Sequence, residues 1–244
     1  MSQDQGRIVL VAESEGAAKP YNDAVMGFAN SAGKQVIINV AILPESIKEA
    51  KTTPIEDWDK TVAPIVINTL EEYNPNDVAV ICSNDLSIPT ARIVHQAKTQ
   101  VVDIHEANAA MLPFSADKVA VLATKRVMKA KPVAEGLAKY GKEIVLPSDY
   151  SQDILDSVIY DNLVKKDFTQ QAHENLMGVI SEVASMNAGV SICACRLITL
   201  YLDEVKATVQ CNRQKAVVYG ENKLMPWLDA TDTVSSQAVD MLTA

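Results

Sequence analysis

The sequence contains few of the residues that mark extracellular, membrane-spanning or metal-binding proteins. No apolar run approaches the ~20 residues that a helix needs to cross a bilayer, and the polar N-terminus has no signal-peptide pattern. The three histidines are scattered without metal-ligand spacing, so we expect no metal. We therefore expect a cytoplasmic protein with reduced thiols. Its four cysteines are Cys82, Cys193, Cys195 and Cys211.

Basic residues are also scarce relative to acidic ones. The chain has 22 Lys and Arg against 31 Asp and Glu, a formal charge of −9 at neutral pH. This balance argues against nucleic acid and against anionic membrane surfaces as partners. With 48% hydrophobic and 22% charged residues, the 244-residue chain has the composition of a globular protein. Its length fits one large α/β domain or two small lobes.

Short apolar runs alternate with segments of helical periodicity. Residues 7–12 and 78–82 are such runs in the first half, and residues 118–123 and 190–194 are their counterparts in the second. Continuous apolar runs are typical of parallel strands that are covered on both faces. The alternation predicts the α/β class, with mainly parallel sheets flanked by helices and joined by right-handed crossovers.

The second half of the chain repeats the strand pattern of the first. Residues 118–124 resemble residues 7–13 at an offset of 111, and residues 190–195 lie over residues 78–83 at an offset of 112. The near-equal offsets predict an internal duplication, with two pseudo-symmetric lobes and a cleft between them. We expect the first lobe at 1–112, the second at 113–225, and residues 226–244 packing back on the first.

Polar side chains follow the predicted strands, where ligands bind in open parallel sheets. At the 112 offset Ser83 corresponds to Cys195, so the two should approach one cleft from opposite sides. That arrangement suits a reaction in which one face of a carbon loses a proton and the other gains one. Lys125 and Arg196 could favour a thiolate or hold a substrate carboxylate. The other candidates at strand ends are Ser14, Asn84, Asp85 and Thr124.

Each candidate also has a purely structural interpretation. A cysteine in an apolar strand is usually a small core residue, and we expect this of Cys82, Cys193 and Cys211. For Cys195 the structural and catalytic interpretations are equally open. Ser83 and Thr124 could simply cap the helices that follow their strands.

Four segments, in this order, resemble the aspartate/glutamate racemase family. Residues 81–85 (Ile-Cys-Ser-Asn-Asp) are similar to the Ile-Cys-Thr-Asn-Thr of one branch, and residues 121–125 (Val-Leu-Ala-Thr-Lys) resemble the family's Leu-Leu-Gly-Thr-Arg. Residues 159–163 (Ile-Tyr-Asp-Asn-Leu) are similar to its Ile-Tyr-Glu-Glu-Leu. Residues 226–231 (Pro-Trp-Leu-Asp-Ala-Thr) resemble its closing strand and helix. The resemblance covers nearly the whole chain.

The resemblance implies a racemase of a small acidic amino acid that needs neither pyridoxal phosphate nor any other cofactor, and that forms a homodimer. The family's two catalytic cysteines correspond to Ser83 and Cys195, and Asn84 aligns with its asparagine. Asn84, Asp85 and Thr124 would hold the substrate's carboxylate and amine. Lys165 is a further candidate, because some members carry a lysine near this position.

Two departures from the family pattern leave other functions open. Serine replaces the first cysteine and is a far weaker base, and Arg196 and Leu197 replace the Thr-Glu that follows the second cysteine. A decarboxylase of the same superfamily would need only the second-lobe cysteine. A catalytically impaired ligand-binding homologue would need neither group.

Overall fold

The computed structural model describes residues 6–113, 115–211, 214–219 and 223–242. The described strands are β1 (Gly6–Ala12), β2 (Val36–Ile42), β3 (Val78–Ile81), β4 (Gln100–Val101), β5 (Lys118–Leu122), β6 (Glu143–Val145), β7 (Val190–Cys193), β8 (Thr208–Cys211), β9 (Gln214–Tyr219) and β10 (Lys223–Asp229). The side chain of Cys211, predicted to lie in the core, is outside the described residues.

Helices fill most of the intervals between the strands. They are α1 (Glu15–Ser31), α2 (Ser46–Ala50), α3 (Trp58–Thr61), α4 (Ala63–Leu70), α5 (Thr90–Gln96), α6 (Ile104–Ala110), α7 (Lys125–Lys129), α8 (Lys131–Lys139), α9 (Asp149–Ser157), α10 (Gln170–Ser185), α11 (Arg196–Glu204) and α12 (Ala230–Met241). A 3₁₀ turn covers Ile55–Asp57 and a π-helix covers Val158–Leu163.

Two pairs of consecutive helices are divided next to a proline. Helices α3 and α4 are separated at Val62, and Pro64 lies in the first turn of α4. Helices α7 and α8 are separated at Ala130, and Pro132 lies in the first turn of α8. Because proline has no backbone N–H, it is accepted at the start of a helix and not in its interior.

The first of two compact units contains the described residues up to Ala107 and from Thr231 onward. Its sheet has the order β2-β1-β3-β4, and every pair in it is parallel. The central strand β1 is buried from Ile8 to Ala12, as expected for a strand with helices on both faces. Helix α12 closes this unit, since Lys34 Nζ donates to the Val239 carbonyl at 2.9 Å.

The second unit, Asn108–Ala230, contains a six-stranded sheet of order β6-β5-β7-β10-β9-β8. Strands β6, β5, β7 and β10 are parallel, and β9 and β8 add an antiparallel hairpin at the edge. Residues 226–229, which the sequence assigned to the segment returning to the first lobe, lie in β10 and pair with the second sheet. The turn to the first unit comes directly after this strand.

The two sheets share the arrangement of their first three strands, β2-β1-β3 and β6-β5-β7. Ile8 of β1 pairs with Val78 of β3, and Val119 of β5 pairs with Val190 of β7. These pairs are related by the offsets 111 and 112 found in the sequence. The predicted α/β class, with two lobes built on mainly parallel sheets, is confirmed.

Candidate active site

Ser83 and Cys195 occupy equivalent positions within their own units. The Cys82 N–H donates to the Val11 carbonyl at 2.8 Å, and the Ala194 N–H donates to the Leu122 carbonyl at 3.0 Å. The first bond is the last one that joins β3 to β1, and the second is the last one that joins β7 to β5. The next residue, Ser83 or Cys195, therefore begins the chain beyond the carboxyl end of the sheet.

Ser83 lies half-buried in a series of turns between β3 and α5. Its Oγ accepts a hydrogen bond from the Leu86 N–H at 3.4 Å. Its carbonyl accepts from the Ser87 N–H at 3.1 Å and from the Ser87 Oγ at 2.8 Å. The hydroxyl thus caps a turn and not the following helix, because α5 begins only at Thr90. A hydroxyl that accepts one bond can still donate its proton.

Cys82 is a core residue, as predicted. It is 5% exposed, its Sγ donates to the Val80 carbonyl at 3.7 Å, and burial raises its pKa far above the ordinary value for a thiol. A buried thiol of this kind stays protonated at neutral pH and is a poor base. The alternation of side chains along β3 therefore turns Cys82 inward and leaves Ser83 at the sheet edge.

His105 is a buried group beside this turn that the sequence pattern does not single out. Its Nε2 lies 3.1 Å from the Ser87 carbonyl, which can only accept, so Nε2 carries the proton. Burial lowers the pKa of His105, opposed by the Asp103 carboxylate and the bond to Ser87. His105 thus supports Ser87, which in turn bonds the Ser83 carbonyl. His105 is therefore linked to Ser83 through Ser87 and through the Ser83 backbone, not through the Ser83 hydroxyl.

Asn84 and Asp85 lie half-buried in the same turns as Ser83. Ser14, at the neighbouring end of β1, caps α1 by accepting from the Ala17 N–H at 3.2 Å. Adjacent parallel strands end at one edge of a sheet, so these residues share the carboxyl edge of the first sheet with Ser83. Glu13 at this edge is paired with Lys51 at 2.7 Å.

Cys195 precedes the nine-residue helix α11 and has extended backbone angles, φ −137° and ψ 108°. It is half-buried, and its carbonyl accepts from the Ile198 N–H at 3.0 Å. The N-terminal end of a helix carries partial positive charge and attracts negative charge. A sulfur atom at this position is therefore better placed than a serine in a turn to carry charge.

Cys193 is buried beneath Cys195, as the structural interpretation of this thiol predicts. Its Sγ donates to the Cys195 carbonyl at 3.1 Å. Burial is the main cause that raises the pKa of Cys193 well above its ordinary value, and the nearby Cys195 and Asp229 add to it. It therefore acts as a neutral donor that supports the backbone of Cys195.

Arg196 is ion-paired within its own unit. Its Nη1 lies 2.6 Å from Oδ2 of Asp229, and the two side chains are 28% and 3% exposed. Asp229 ends β10 and lies opposite Cys193 in the register of β10 with β7. The sequence contained Asp229 within a family-like motif but gave no sign of this partnership, because the two residues are distant in the chain.

Thr124 and Lys125 lie at the end of β5, beside β7. Thr124 caps α7, its Oγ1 accepting from the Val127 N–H at 3.5 Å. The Lys125 Nζ bonds the Asp153 carboxylate, and its backbone N–H donates to the Asp156 Oδ1 at 2.8 Å. The hydrogen bond with Asp153 is the main cause of the raised pKa of Lys125.

Lys165 has local contacts. Its Nζ lies 3.3 Å from Oδ1 of Asp161, four residues earlier, and its side chain is 62% exposed. This is a common surface pair between successive turns. This pair does not connect Lys165 with the group formed by Thr124, Lys125, Cys195 and Arg196 at the ends of β5 and β7.

Two classes of feature are absent from the described part of the chain. No three His, Cys, Asp or Glu side chains among the described residues are grouped so that they could hold a metal ion. None of the described helices has the length and apolar character needed to span a membrane.

Known proteins show the same combination of fold and sequence pattern. Residues 13–218 match the sequence profile of the Asp/Glu/hydantoin racemase family. No curated protein matches the chain.

Among solved structures, the chain is similar to a candidate Asp/Glu racemase from Yersinia pestis, with 18% identity and a TM-score of 0.78 over 98% of this chain and 100% of that one. It is similar to an aspartate racemase homologue from Pyrococcus horikoshii, with 16% identity and a TM-score of 0.72 over 98% and 100% of the chains. A glutamate racemase from Francisella tularensis in complex with D-glutamate has 13% identity and a TM-score of 0.62 over 99% and 82%. These likenesses establish a shared fold, and the profile match extends over most of the sequence. The chain belongs to the Asp/Glu/hydantoin racemase family.

Proposed function

We propose that this protein is a cofactor-independent racemase of a small acidic amino acid, with Cys195 and Ser83 serving opposite faces of the α-carbon. The observation that carries the proposal is that these two residues occupy equivalent positions. Each directly follows the residue whose N–H makes the last hydrogen bond between equivalent strands, β3 to β1 in one unit and β7 to β5 in the other. Both are half-buried, whereas Cys82 and Ala194 before them are buried. The two exchangeable groups are thus presented in the same way by the two units.

The proposed reaction moves one proton on each face. In one direction the Cys195 thiolate takes the α-proton and becomes a thiol, and the electron pair of the C–H bond stays on the substrate. A proton then reaches the opposite face from the Ser83 hydroxyl, which water re-protonates. In the other direction water acting through Ser83 removes the proton and the Cys195 thiol donates one. A hydroxyl is the weaker base, so exchange of the α-proton that faces Ser83 should be slower than exchange of the α-proton that faces Cys195.

Candidate side chains for the substrate's polar groups lie at the carboxyl edges of the two sheets. Asn84, Asp85 and Thr124 are our candidates for the carboxylates and the amine, with Ser14 and Lys125 as further groups at the same sheet edges. Asp85 has the charge that an ammonium group prefers, and Lys125 the charge that a carboxylate prefers. On the family resemblance we also infer a homodimer that works in the cytoplasm. Gel filtration with light scattering tests the oligomeric state.

The test is α-proton exchange in deuterated buffer, measured by NMR on each enantiomer of aspartate and glutamate. Exchange is expected with at least one of them. Cys195→Ser should abolish it, because this change removes the thiol from the helix end. Cys82→Ala is the matched control, since it removes the thiol next to Ser83 in the chain, which is buried and protonated. No exchange with any of the four compounds, from protein whose folding is confirmed by circular dichroism, would refute the proposal.

A decarboxylase is the second candidate, because a thiol stands at only one of the two equivalent positions. Loss of carbon dioxide from a disubstituted malonate leaves a carbanion, which the Cys195 thiol would protonate. Release of carbon dioxide from a panel of such malonates, without α-proton exchange on amino acids, would favour this function. A ligand-binding homologue would instead gain thermal stability from acidic amino acids without turnover, and Cys195→Ser would leave that gain intact.

A further inference from the structure

The pair formed by Arg196 and Asp229 lies immediately beside Cys195. Arg196 is the first residue of α11, and Asp229 ends β10, the strand that pairs with β7. Their 2.6 Å contact therefore joins the start of the helix to the neighbouring strand end. Cys195 lies between the end of β7 and the start of α11, the helix whose first residue makes this contact.

The burial of the pair indicates that each charge mainly stabilises the other. Asp229 is 3% exposed, and a buried carboxylate of this kind is stabilised by the positive charge of Arg196 beside it. The Arg196 Nε is buried and makes no hydrogen bond to the described residues. A guanidinium that is committed in this way is poorly suited to hold a substrate carboxylate, which is the role the sequence suggested for it.

We propose that Arg196 and Asp229 are positioning residues for Cys195. Asp229 anchors the guanidinium and with it the first turn of α11, and Arg196 cancels a buried negative charge that would otherwise oppose a thiolate beside it. The inference rests on the proposed function only in taking Cys195 as the group that exchanges the proton.

Other charged groups near this part of the second unit are also paired. On the β5 side, Lys125 bonds Asp153 through its side chain and Asp156 through its backbone. On the π-helix that packs against α11, Asp161 pairs with Lys165. On α10, His173 Nδ1 lies 3.0 Å from the Tyr201 hydroxyl of α11. Beneath Cys195, the Cys193 thiol stays neutral at ordinary pH. In the Arg196–Asp229 pair, Arg196 follows Cys195 directly in the chain, and Asp229 ends the strand that pairs with β7.

The test is the pH dependence of Cys195 alkylation by iodoacetamide, followed by mass spectrometry of the peptide that contains it. Arg196→Gln removes the positive charge that is paired with Asp229, so the midpoint of the alkylation profile should rise by about 1 pH unit. Asp229→Asn leaves the guanidinium uncompensated, so the midpoint should fall by a similar amount. The double variant should return to within about 0.3 units of the parent, because both charges are gone. Arg196→Lys keeps the charge and should keep the midpoint.

A purely structural pair would give a different result. Loss of packing would move both single variants in the same direction or leave both midpoints unchanged, and either outcome in folded protein would overturn the inference. If one single variant does not fold, the other decides alone: the midpoint must rise in Arg196→Gln or fall in Asp229→Asn, relative to the charge-matched Arg196→Lys and the neutral double variant. With turnover, Arg196→Lys should change KM less than twofold; a rise in KM above tenfold would make Arg196 a substrate ligand.

Alkylation requires no substrate, so the two proposals fail separately. Opposite shifts in a protein that shows no α-proton exchange would uphold the positioning pair and refute the racemase. Exchange in the parent protein with no shift in the variants would do the reverse.

Discussion

Ser83→Cys is the substitution that examines the two-sided mechanism most directly. It places a thiol at the position equivalent to Cys195, where the parent has a hydroxyl. Among the described residues, the Oγ of the half-buried Ser83 has one hydrogen bond, the long 3.4 Å bond from the Leu86 N–H, so the larger sulfur atom can be accommodated with little loss. Because the residue is partly exposed, the introduced thiol should titrate near the ordinary value for cysteine, about 8.5.

The expected size of the effect follows from that titration. A thiol of this kind is about 3% ionised at pH 7 and half ionised at pH 8.5, so its share of the exchange rate should grow about 15-fold between these values. A positioned base contributes roughly 10²–10⁴-fold in rate, and water acting through Ser83 supplies only part of that. We therefore expect Ser83→Cys to exceed the parent by at least about tenfold at pH 8.5.

The gain should be confined to one enantiomer. The assay is deuterium incorporation at the α-carbon, measured separately for each hand over pH 6.5–9. The enantiomer whose α-proton faces Ser83 should be accelerated, and the other should change little because Cys195 is untouched. Ser83→Ala is the matched control and should lower the same direction. Equal rates for the parent, Ser83→Cys and Ser83→Ala, together with loss of exchange in Cys195→Ser, would refute a role for position 83.

The remaining predictions concern stability and can be measured by chemical or thermal unfolding. Burial lowers the pKa of His105 below 6.5, so on acidification the unfolded chain binds a proton at this histidine at a higher pH than the folded protein does. The free energy of unfolding should therefore fall as the pH drops below 6.5, by up to about 1.4 kcal/mol per pH unit. His105→Gln should remove that dependence. Thr124→Ala removes the cap of α7 and should cost about 1 kcal/mol. Gly6→Ala places a methyl group 2.8 Å from the Leu242 side chain and should lower the melting temperature, whereas Gly27→Ala in α1, which meets nothing within 4 Å, should raise it.

The features that the sequence predicts well are those that depend on short-range patterns. Continuous apolar runs gave the central strands, since a strand covered on both faces must be apolar throughout. The β8–β9 hairpin was missed, because residues 208–219 mix polar and apolar side chains at a sheet edge and resemble a connecting loop. The π-helix at Val158–Leu163 was also beyond prediction, because its apolar spacing fits an ordinary helix.

The missed features of the candidate site are long-range partnerships. Arg196 and Asp229 meet because β10 lies beside β7, an order that no local pattern encodes. His105 reaches Ser87 only because the turns after β3 fold back towards α6. The sequence identifies the residues that follow each strand, since those positions depend on chain order alone. It does not identify the distant side chains that pair with these residues and so determine their electrostatic surroundings.

The equivalence of Ser83 and Cys195 makes their different surroundings informative. Cys195 is followed at once by α11, whose N-terminal end favours negative charge, and its backbone is held by Cys193 and by the ion pair of Arg196. Ser83 is followed by turns, and the next helix begins only at Thr90. A thiolate is thus supported in one unit, and the other offers a neutral hydroxyl whose proton can be donated. The two enantiomers have equal free energy, so kcat/KM for racemisation must be the same in both directions, and a difference in kcat must be matched by the same difference in KM. The asymmetry should therefore appear in α-proton exchange, which should be faster for the enantiomer whose α-proton faces Cys195.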